Sequence, residues 1–157
     1  MHFLMIRAIG KPHEAWQKEA IHTYIERLGS MAKIQLIELP EGHQGSAKPN
    51  EEKTRRLEAE SLLKSLPASA WVIALDETGQ NLSSTMLAKK MSEWSAGGRP
   101  VVFLIGGSWG LDSSIKERAH HVLSFGKHTL PHLLARITLL EQLYRAEMIL
   151  SGKTYHK

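Results

Sequence analysis

The stretch Val101–Leu111, VVFLIGGSWGL, decides the fold class of this 157-residue chain. It begins with a continuous apolar run, and two glycines then end that run. Short apolar runs bounded by such breakers are typical of central parallel strands that are covered by helices on both faces. Ala70–Leu75, AWVIAL, is a second run of the same kind. The chain is therefore predicted to hold a parallel sheet between helical layers.

Outward from these two runs, strand and helix patterns alternate along the whole chain. Apolar residues spaced by three and four predict helices, whereas short apolar or alternating segments predict strands. Strands are predicted at His2–Ala8, Lys33–Leu39, Ala70–Leu75, Val101–Ile105 and Val122–Phe125. Helices are predicted at Trp16–Leu28, Glu51–Leu66 and Ser84–Trp94, over a short segment that Ser114 begins, and at Pro131–Leu150. This pattern predicts one α/β domain over residues 1–157, with a five-stranded, mostly parallel sheet flanked by helices.

Composition limits the class of protein. The chain has no cysteine, which excludes disulfides, cysteine nucleophiles and thiolate metal sites. No apolar run approaches the roughly 20 residues that a membrane-spanning helix needs, and the N-terminus is typical of a first strand rather than of a signal peptide. A cytoplasmic protein with no membrane partner is expected. The net charge of +4 permits a polyanionic partner but does not require one.

The last predicted helix is apolar around most of its circumference, from Leu133 to Leu150. A helix that covers one face of a sheet needs an apolar stripe only about 100° wide. The remaining apolar surface should bury against something else, and a second copy of the chain is the simplest candidate. A homodimer is therefore expected.

Two segments that follow predicted strands are candidate ligand loops: residues 105–111, IGGSWGL, and residues 123–136, LSFGKHTLPHLLAR. Open α/β sheets bind ligands at the carboxyl ends of their strands, and glycines there let the backbone approach a ligand closely. Residues 105–111 have neither the glycine spacing of a phosphate-binding loop nor that of a dinucleotide-binding turn, and a plain tight turn remains the alternative there. For residues 123–136 the alternative is an ordinary connection between a strand and a helix.

Two pairs of polar residues are further candidates. Asp76 and Glu77 follow the predicted strand Ala70–Leu75 and could contact a ribose or bind magnesium, but solvated turn residues are the favoured interpretation. His128 and His132 are four residues apart, which suggests metal ligands. Because the chain has neither an HExxH sequence nor a cysteine, no metal site is expected.

The C-terminal residues Gly152–Lys157, GKTYHK, combine a phenol, an imidazole and two cations. These groups would suit contact with RNA. Chain ends are usually frayed, however, and a frayed end without a function is the favoured interpretation of this segment by itself.

The segments ALDETG (residues 74–79), IGGSWGL, LSFGKHTLPHLLAR, EQLYRA (residues 141–146) and the terminal YHK resemble, in this order and spacing, one known family. This is the RlmH family, the 23S ribosomal RNA pseudouridine N3-methyltransferases of the SPOUT superfamily. The resemblance covers the chain from its first strand to its last residue. Only the Pro40–Asn50 loop cannot be matched residue by residue.

The resemblance implies a SPOUT-type α/β fold whose C-terminal segment forms a trefoil knot, and it implies a homodimer. It also implies S-adenosylmethionine (SAM) as cofactor, held mainly by main-chain groups of the knot. The implied cofactor-binding residues are Leu75, Gly106, Phe125, Gly126, Lys127, His128, Thr129 and Leu130.

The implied reaction is methylation of N3 of a pseudouridine in helix 69 of 23S rRNA, on assembled ribosomes. A base must help to remove the N3 proton. Our hypothesis is that His156 or Tyr155 is that base and reaches across the dimer to the partner's cofactor. Arg136 and Arg145 would bind phosphate, and Glu141 would orient one of them.

Two alternatives stay open. One is a different SPOUT methyltransferase, acting on a tRNA base or ribose. The other is a ribosome-associated binding protein that keeps the fold without activity. A metal-dependent nuclease is a more distant third.

Overall fold

The computed structural model describes residues 1–43 and 47–155. Strands and helices alternate along the chain, and a short 3-10 turn at Ala96–Gly98 precedes the fourth strand. The elements are β1 (Phe3–Ile9), α1 (Ala15–Gly29), β2 (Lys33–Leu39), α2 (Glu51–Leu63), β3 (Trp71–Asn81), α3 (Ser84–Trp94), β4 (Val101–Ile105), α4 (Ser113–Arg118), β5 (His121–Ser124) and α5 (His132–Leu150).

The strands form a five-stranded sheet in the order β2-β1-β4-β3-β5, and each neighbouring pair is parallel. The predicted α/β architecture is thereby confirmed. Alternate side chains of the central strands enter two cores. Leu4 and Phe103 pack in the core that includes α1, α3 and α5, whereas Met5 and Leu104 pack in the core that includes α2 and α4. Burial of both sheet faces explains why the central strands are continuously apolar.

β3 continues to Asn81, past its predicted end at Leu75. After Leu75 the strand bulges away from β5 and rejoins it at Gln80, so that both residues pair with Leu123. Gly79 allows this return, because a Cβ there would lie 2.6 Å from the carbonyl oxygen of Val122. The polar sequence of the extension gave no strand pattern, and only the pairing with β5 makes it a strand.

α2 ends at Leu63 and not at the predicted Leu66. The buried guanidinium of Arg7, from β1, donates to the carbonyl oxygens of Leu62 and Lys64 at 3.1 and 2.5 Å. These bonds satisfy carbonyls that the end of a helix leaves without partners. A residue distant in the sequence therefore stabilises the end of this helix.

The starts of α4 and α5 also differ from the prediction. Asp112, not Ser114, is the N-cap of α4, and its carboxylate accepts from the Ser114 N–H at 3.1 Å. Pro131 is the N-cap of α5 rather than its first helical residue. A third difference is Trp16 of α1, which was expected on the buried face but is 52% exposed.

α5 contacts both α1 and α3, and this packing buries much of its apolar surface within the chain, including Leu139, Leu140 and Leu143. Leu134 and Leu150 remain 39% and 40% exposed. Intrachain packing thus accounts for a large part of the apolar surface that suggested a dimer, and the homodimer stays a prediction. The predicted knot also stays a prediction. Among the described residues, no helix has the length and apolar character required to cross a membrane.

Candidate active site

A cavity of about 720 Å³ opens at the carboxyl ends of β4 and β5, beside the bulge of β3. Its wall includes Leu75 at the start of that bulge, Ile105 and Leu123, and the two predicted ligand loops contribute much of the remainder. All of the predicted cofactor residues except Lys127 line it: Leu75, Gly106, Phe125, Gly126, His128, Thr129 and Leu130. Parallel strands bring their carboxyl ends to one edge, which is why segments far apart in the sequence meet here.

The loop after β4 is a tight turn closed by an isolated bridge between Gly107 and Gly110. A Cβ at Gly106 would lie 2.8 Å from the carbonyl oxygen of Gly110, so only glycine fits at that position without displacing the turn. Gly110 itself has φ +80°, a conformation that favours glycine. At these glycines only the main chain contributes to the wall, beside the neighbouring residues Ser108, Trp109 and Leu111.

Ser124, a residue that the sequence analysis did not single out, organises the loop after β5. Its side chain is buried, and its hydroxyl accepts from the Gly126 N–H at 3.0 Å. The same hydroxyl can donate a hydrogen bond to either of two carbonyl oxygens, that of Gly126 at 2.8 Å or that of Glu77 at 3.2 Å. One buried hydroxyl therefore ties the β5 loop to the extension of β3.

Asp76 and Glu77 line the cavity, although solvated turn residues were the favoured interpretation. Asp76 accepts from the N–H and hydroxyl of Thr78 and pairs with Lys116 at 3.1 Å. Burial tends to raise the pKa of Asp76, but the bonds from Thr78 and Lys116 outweigh it and hold that pKa below its usual range. Glu77 accepts from the hydroxyl of Thr129 at 2.5 Å. The pair thus combines a turn former, Asp76, with a cavity-wall carboxylate, Glu77.

His132, the first residue of α5, also lines the cavity. Its imidazole lies close to Gly10, since a Cβ added to that glycine would be only 3.2 Å from the Nε2 of His132. Burial, and next the charge of Arg136, lower the pKa of His132, so its imidazole is neutral at neutral pH. Within residues 1–43 and 47–155, no group of three or more His, Asp and Glu side chains could hold a metal ion.

Glu141, Arg145 and Tyr155 form a second polar group, farther along α5. Glu141 Oε1 accepts from Arg145 Nη2 at 2.6 Å and from the Tyr155 hydroxyl at 3.3 Å. The Arg145 guanidinium lies 4.7 Å from the centre of the Tyr155 ring, whose edge packs against Tyr144. Burial, and then the charge of Glu141, raise the pKa of the Tyr155 phenol. Glu141 was expected to orient an arginine, and in the structure it contacts Arg145.

The expectation that Arg136 binds phosphate is wrong, because its side chain is fully buried. The guanidinium donates to Glu38 at 2.5 Å and to the carbonyl oxygens of Ile9 and Gly10 at 3.3 and 2.9 Å. It joins α5 to the ends of β1 and β2, and it has no surface from which to reach RNA.

The remaining predicted catalytic residue, His156, lies outside the described residues. Tyr155, its neighbour, packs against Glu141 and not against the cavity of its own chain. Along α5, Glu141 lies nine positions after His132 and six after Ala135, the last residue of that helix in the cavity wall, which is a rise of roughly 13 and 9 Å. The two polar groups of one chain are therefore well separated along α5.

Comparison with known proteins adds a whole-chain match. Residues 1–156 match the family described as "Predicted SPOUT methyltransferase". The chain is 42% identical over 156 residues to "Ribosomal RNA large subunit methyltransferase H" of Anaeromyxobacter sp. (strain Fw109-5), which covers 98% of this chain and 99% of that protein. It is 43% identical over 157 residues to the protein of the same name from Carboxydothermus hydrogenoformans, with the same coverage.

A solved structure supports the fold. It is that of a probable methylase family protein from Haemophilus influenzae Rd KW20, which matches 99% of this chain and 71% of its own with a TM-score of 0.57. At 16% sequence identity, this likeness concerns the fold alone.

Proposed function

Because this chain belongs to the SPOUT methyltransferase family, we propose that it methylates N3 of a pseudouridine in helix 69 of 23S rRNA, with SAM as methyl donor. The substrate is the rRNA of the assembled ribosome, and the enzyme acts in the cytoplasm. The proposal rests on one observation above all. The loops that the resemblance assigned to the cofactor meet in one cavity, at the carboxyl ends of β4 and β5 and beside the bulge of β3.

The cavity suits a nucleoside cofactor. Its volume of about 720 Å³ lies within the roughly 300–1,000 Å³ of typical small-molecule sites. The apolar side chains of Leu75, Ile105 and Leu123 offer a surface for an adenine ring, and the glycine turns offer main-chain donors and acceptors. Bound SAM supplies an electrophilic methyl group on its sulfonium. The residues that would hold it are Leu75, Gly106 and the run from Phe125 to Leu130, with Lys127 in that run but not in the cavity wall.

The chain must then position the pseudouridine ring and accept its N3 proton as the N3–methyl bond forms. The raised pKa of Tyr155 keeps its phenol protonated at neutral pH, so Tyr155 is suited to donate a hydrogen bond and not to act as base. This favours His156, because imidazole is the side chain most often used as a general base. Arg145 is the arginine that we assign to phosphate, and Glu141 orients it at 2.6 Å.

Homodimerisation completes the proposed site. The Tyr155 hydroxyl contacts Glu141, which lies roughly 9 Å along α5 beyond Ala135, the last residue of that helix in the cavity wall. We infer that the partner's tail, and not the chain's own, reaches the cavity. Trp16, Leu134 and Leu150 are exposed apolar residues on α1 and α5, which contact each other, and they offer a surface for the second copy.

Nucleoside mass spectrometry of rRNA and tRNA from a strain that lacks this protein tests the proposal. We expect the loss of one methyl group from one pseudouridine of helix 69, and its return when the wild-type chain is supplied. Loss of a tRNA methyl group instead would indicate a different SPOUT substrate. No change in any methylation, together with no SAM binding by calorimetry, would indicate a binding protein.

A further inference from the structure

The carboxylate of Glu77 lies on the wall of the cavity and already accepts a hydrogen bond from a hydroxyl. Its Oε2 is 2.5 Å from Oγ1 of Thr129, which belongs to the loop after β5 and also lines the cavity. Both side chains are exposed to solvent in the chain as described. The contact demonstrates that this carboxylate points toward the β5 loop and that an O–H donor fits against it.

The backbone that carries Glu77 is held from several directions. The carbonyl oxygen of Glu77 lies 3.2 Å from the buried hydroxyl of Ser124. On one side Asp76 is bound by Thr78 and Lys116. On the other side Gly79 approaches β5 so closely that a Cβ there would lie 2.6 Å from a carbonyl oxygen. Such restraint positions a side chain for a ligand at little entropic cost.

Among the described residues that line the cavity, Asp76 and Glu77 are the carboxylates, and their situations differ. Asp76 uses Oδ2 to hold the bulge through Thr78 and Lys116. Glu77 uses Oε2 for a hydroxyl that belongs to a loop. A ligand hydroxyl can replace that of Thr129 without disturbing the bulge.

We propose that the Glu77 carboxylate accepts hydrogen bonds from the vicinal hydroxyls of the cofactor's ribose and is a specificity-determining residue for the nucleoside part of SAM. The inference rests on the proposed function, since it assumes an adenosyl ligand. A carboxylate is acceptor-only and has two oxygens, which matches two neighbouring O–H donors. An acidic side chain near a strand end binds ribose hydroxyls in the same way in dinucleotide-binding folds.

The α-ammonium group of SAM is the other donor that a carboxylate could bind, and ligand choice separates the two. 5′-Methylthioadenosine keeps the ribose and lacks the amino acid portion. Calorimetry compares the wild-type protein with Glu77→Ala. The variant should bind both SAM and methylthioadenosine about 10- to 100-fold more weakly, as expected for the loss of hydrogen bonds to a charged group. A variant that binds SAM weakly and methylthioadenosine normally would overturn the ribose assignment.

A second comparison removes the hydroxyl instead of the carboxylate. The wild-type protein should bind 2′-deoxy-methylthioadenosine about 10-fold or more weakly than methylthioadenosine. Glu77→Ala should bind the two ligands within about 3-fold of each other, because the partner of the missing hydroxyl is gone. An undiminished preference for the ribose form in Glu77→Ala would contradict the inference.

Two further variants serve as controls. Glu77→Gln keeps an acceptor oxygen and should lose less affinity than Glu77→Ala. If the alanine variant folds poorly, Glu77→Gln still tests the role of the carboxylate. Glu117→Ala removes an exposed carboxylate of α4 outside the cavity wall and should bind like the wild type. Wild-type protein that binds no adenosyl ligand would refute the proposed function itself. Normal SAM binding by both Glu77 variants would refute only the role of Glu77.

Discussion

Arg136 of α5 binds Glu38 of β2 through Nη1 at 2.5 Å, across 98 positions of sequence. The guanidinium is fully buried and also holds the carbonyl oxygens at the end of β1. Its neighbour on the same helix turn, His132, lines the cavity. The pair thus fixes the helix that forms one side of the candidate site.

We expect Arg136→Met to lower the free energy of unfolding by about 3 kcal/mol, because removing one partner of a buried ion pair costs roughly 3–5 kcal/mol and Glu38 is only partly shielded. For a chain of this size, Tm should fall by roughly 6–12 °C. Arg56→Met, at an exposed arginine of α2, should stay within about 0.5 kcal/mol of the wild type. Unchanged stability with weakened ribosome binding would instead restore a phosphate-binding role for Arg136.

Gly79→Ala should destabilise the fold by roughly 1–3 kcal/mol, because the added Cβ would overlap the backbone of β5. Gly29 is the matched control. A Cβ there meets nothing within 4 Å, and the residue ends α1 without a positive φ. Gly29→Ala should be neutral or stabilise the chain by up to about 1 kcal/mol. Thermal unfolding measures both, and equal Tm values for the two variants would count against the close approach of β3 and β5.

Glu58 of α2 is buried, and its Oε2 accepts from the Gly42 N–H at 3.1 Å. Burial raises the pKa of Glu58 above its ordinary value. The folded chain therefore binds this proton more tightly than the unfolded chain does, so wild-type stability declines as pH rises from the ordinary carboxyl pKa through the raised one. Glu58→Gln keeps an acceptor for Gly42 and carries no charge.

The stability of Glu58→Gln relative to the wild type should therefore increase with pH across that interval. Denaturant unfolding at a series of pH values measures the difference. Glu60→Gln, at an exposed position of the same helix, should show no such trend. A stability difference that is constant or that shrinks with rising pH would contradict the burial of an ionisable Glu58.

His156→Ala should slow methyl transfer by about 10²- to 10⁴-fold, the usual contribution of a general base. Tyr155→Phe keeps the ring contacts with Tyr144 and Arg145 and loses only a 3.3 Å hydrogen bond, so we expect a much smaller effect. Single-turnover methylation of ribosomes measures both rates. Full activity of His156→Ala would remove His156 from the mechanism.

The sheet and the location of the site could be predicted because they depend on local patterns. Continuous apolar runs such as Val101–Ile105 indicate buried parallel strands, and parallel strands place their C-terminal loops together. The loops at Gly106 and at Phe125–Leu130 were therefore expected to meet, and the structure brings them into one cavity.

What could not be predicted depends on contacts between distant residues. Arg136 resembles a surface arginine until its partner Glu38 is known, and α2 ends early because Arg7 of β1 binds its last carbonyls. The β3 extension carries polar residues that have no strand pattern, and it becomes a strand only by pairing with β5. Ser124 gave no signal, since one serine after an apolar run is common in loops.

The most direct test of the central claim is a methylation assay on ribosomes from a strain that lacks this protein. These ribosomes are incubated with purified wild-type protein and with SAM that carries a labelled methyl group, and the labelled nucleotide is then mapped. The account predicts one methyl group per 23S rRNA, on N3 of a pseudouridine in helix 69. Transfer to another nucleotide, or no transfer to these ribosomes from a protein that binds SAM, would contradict it.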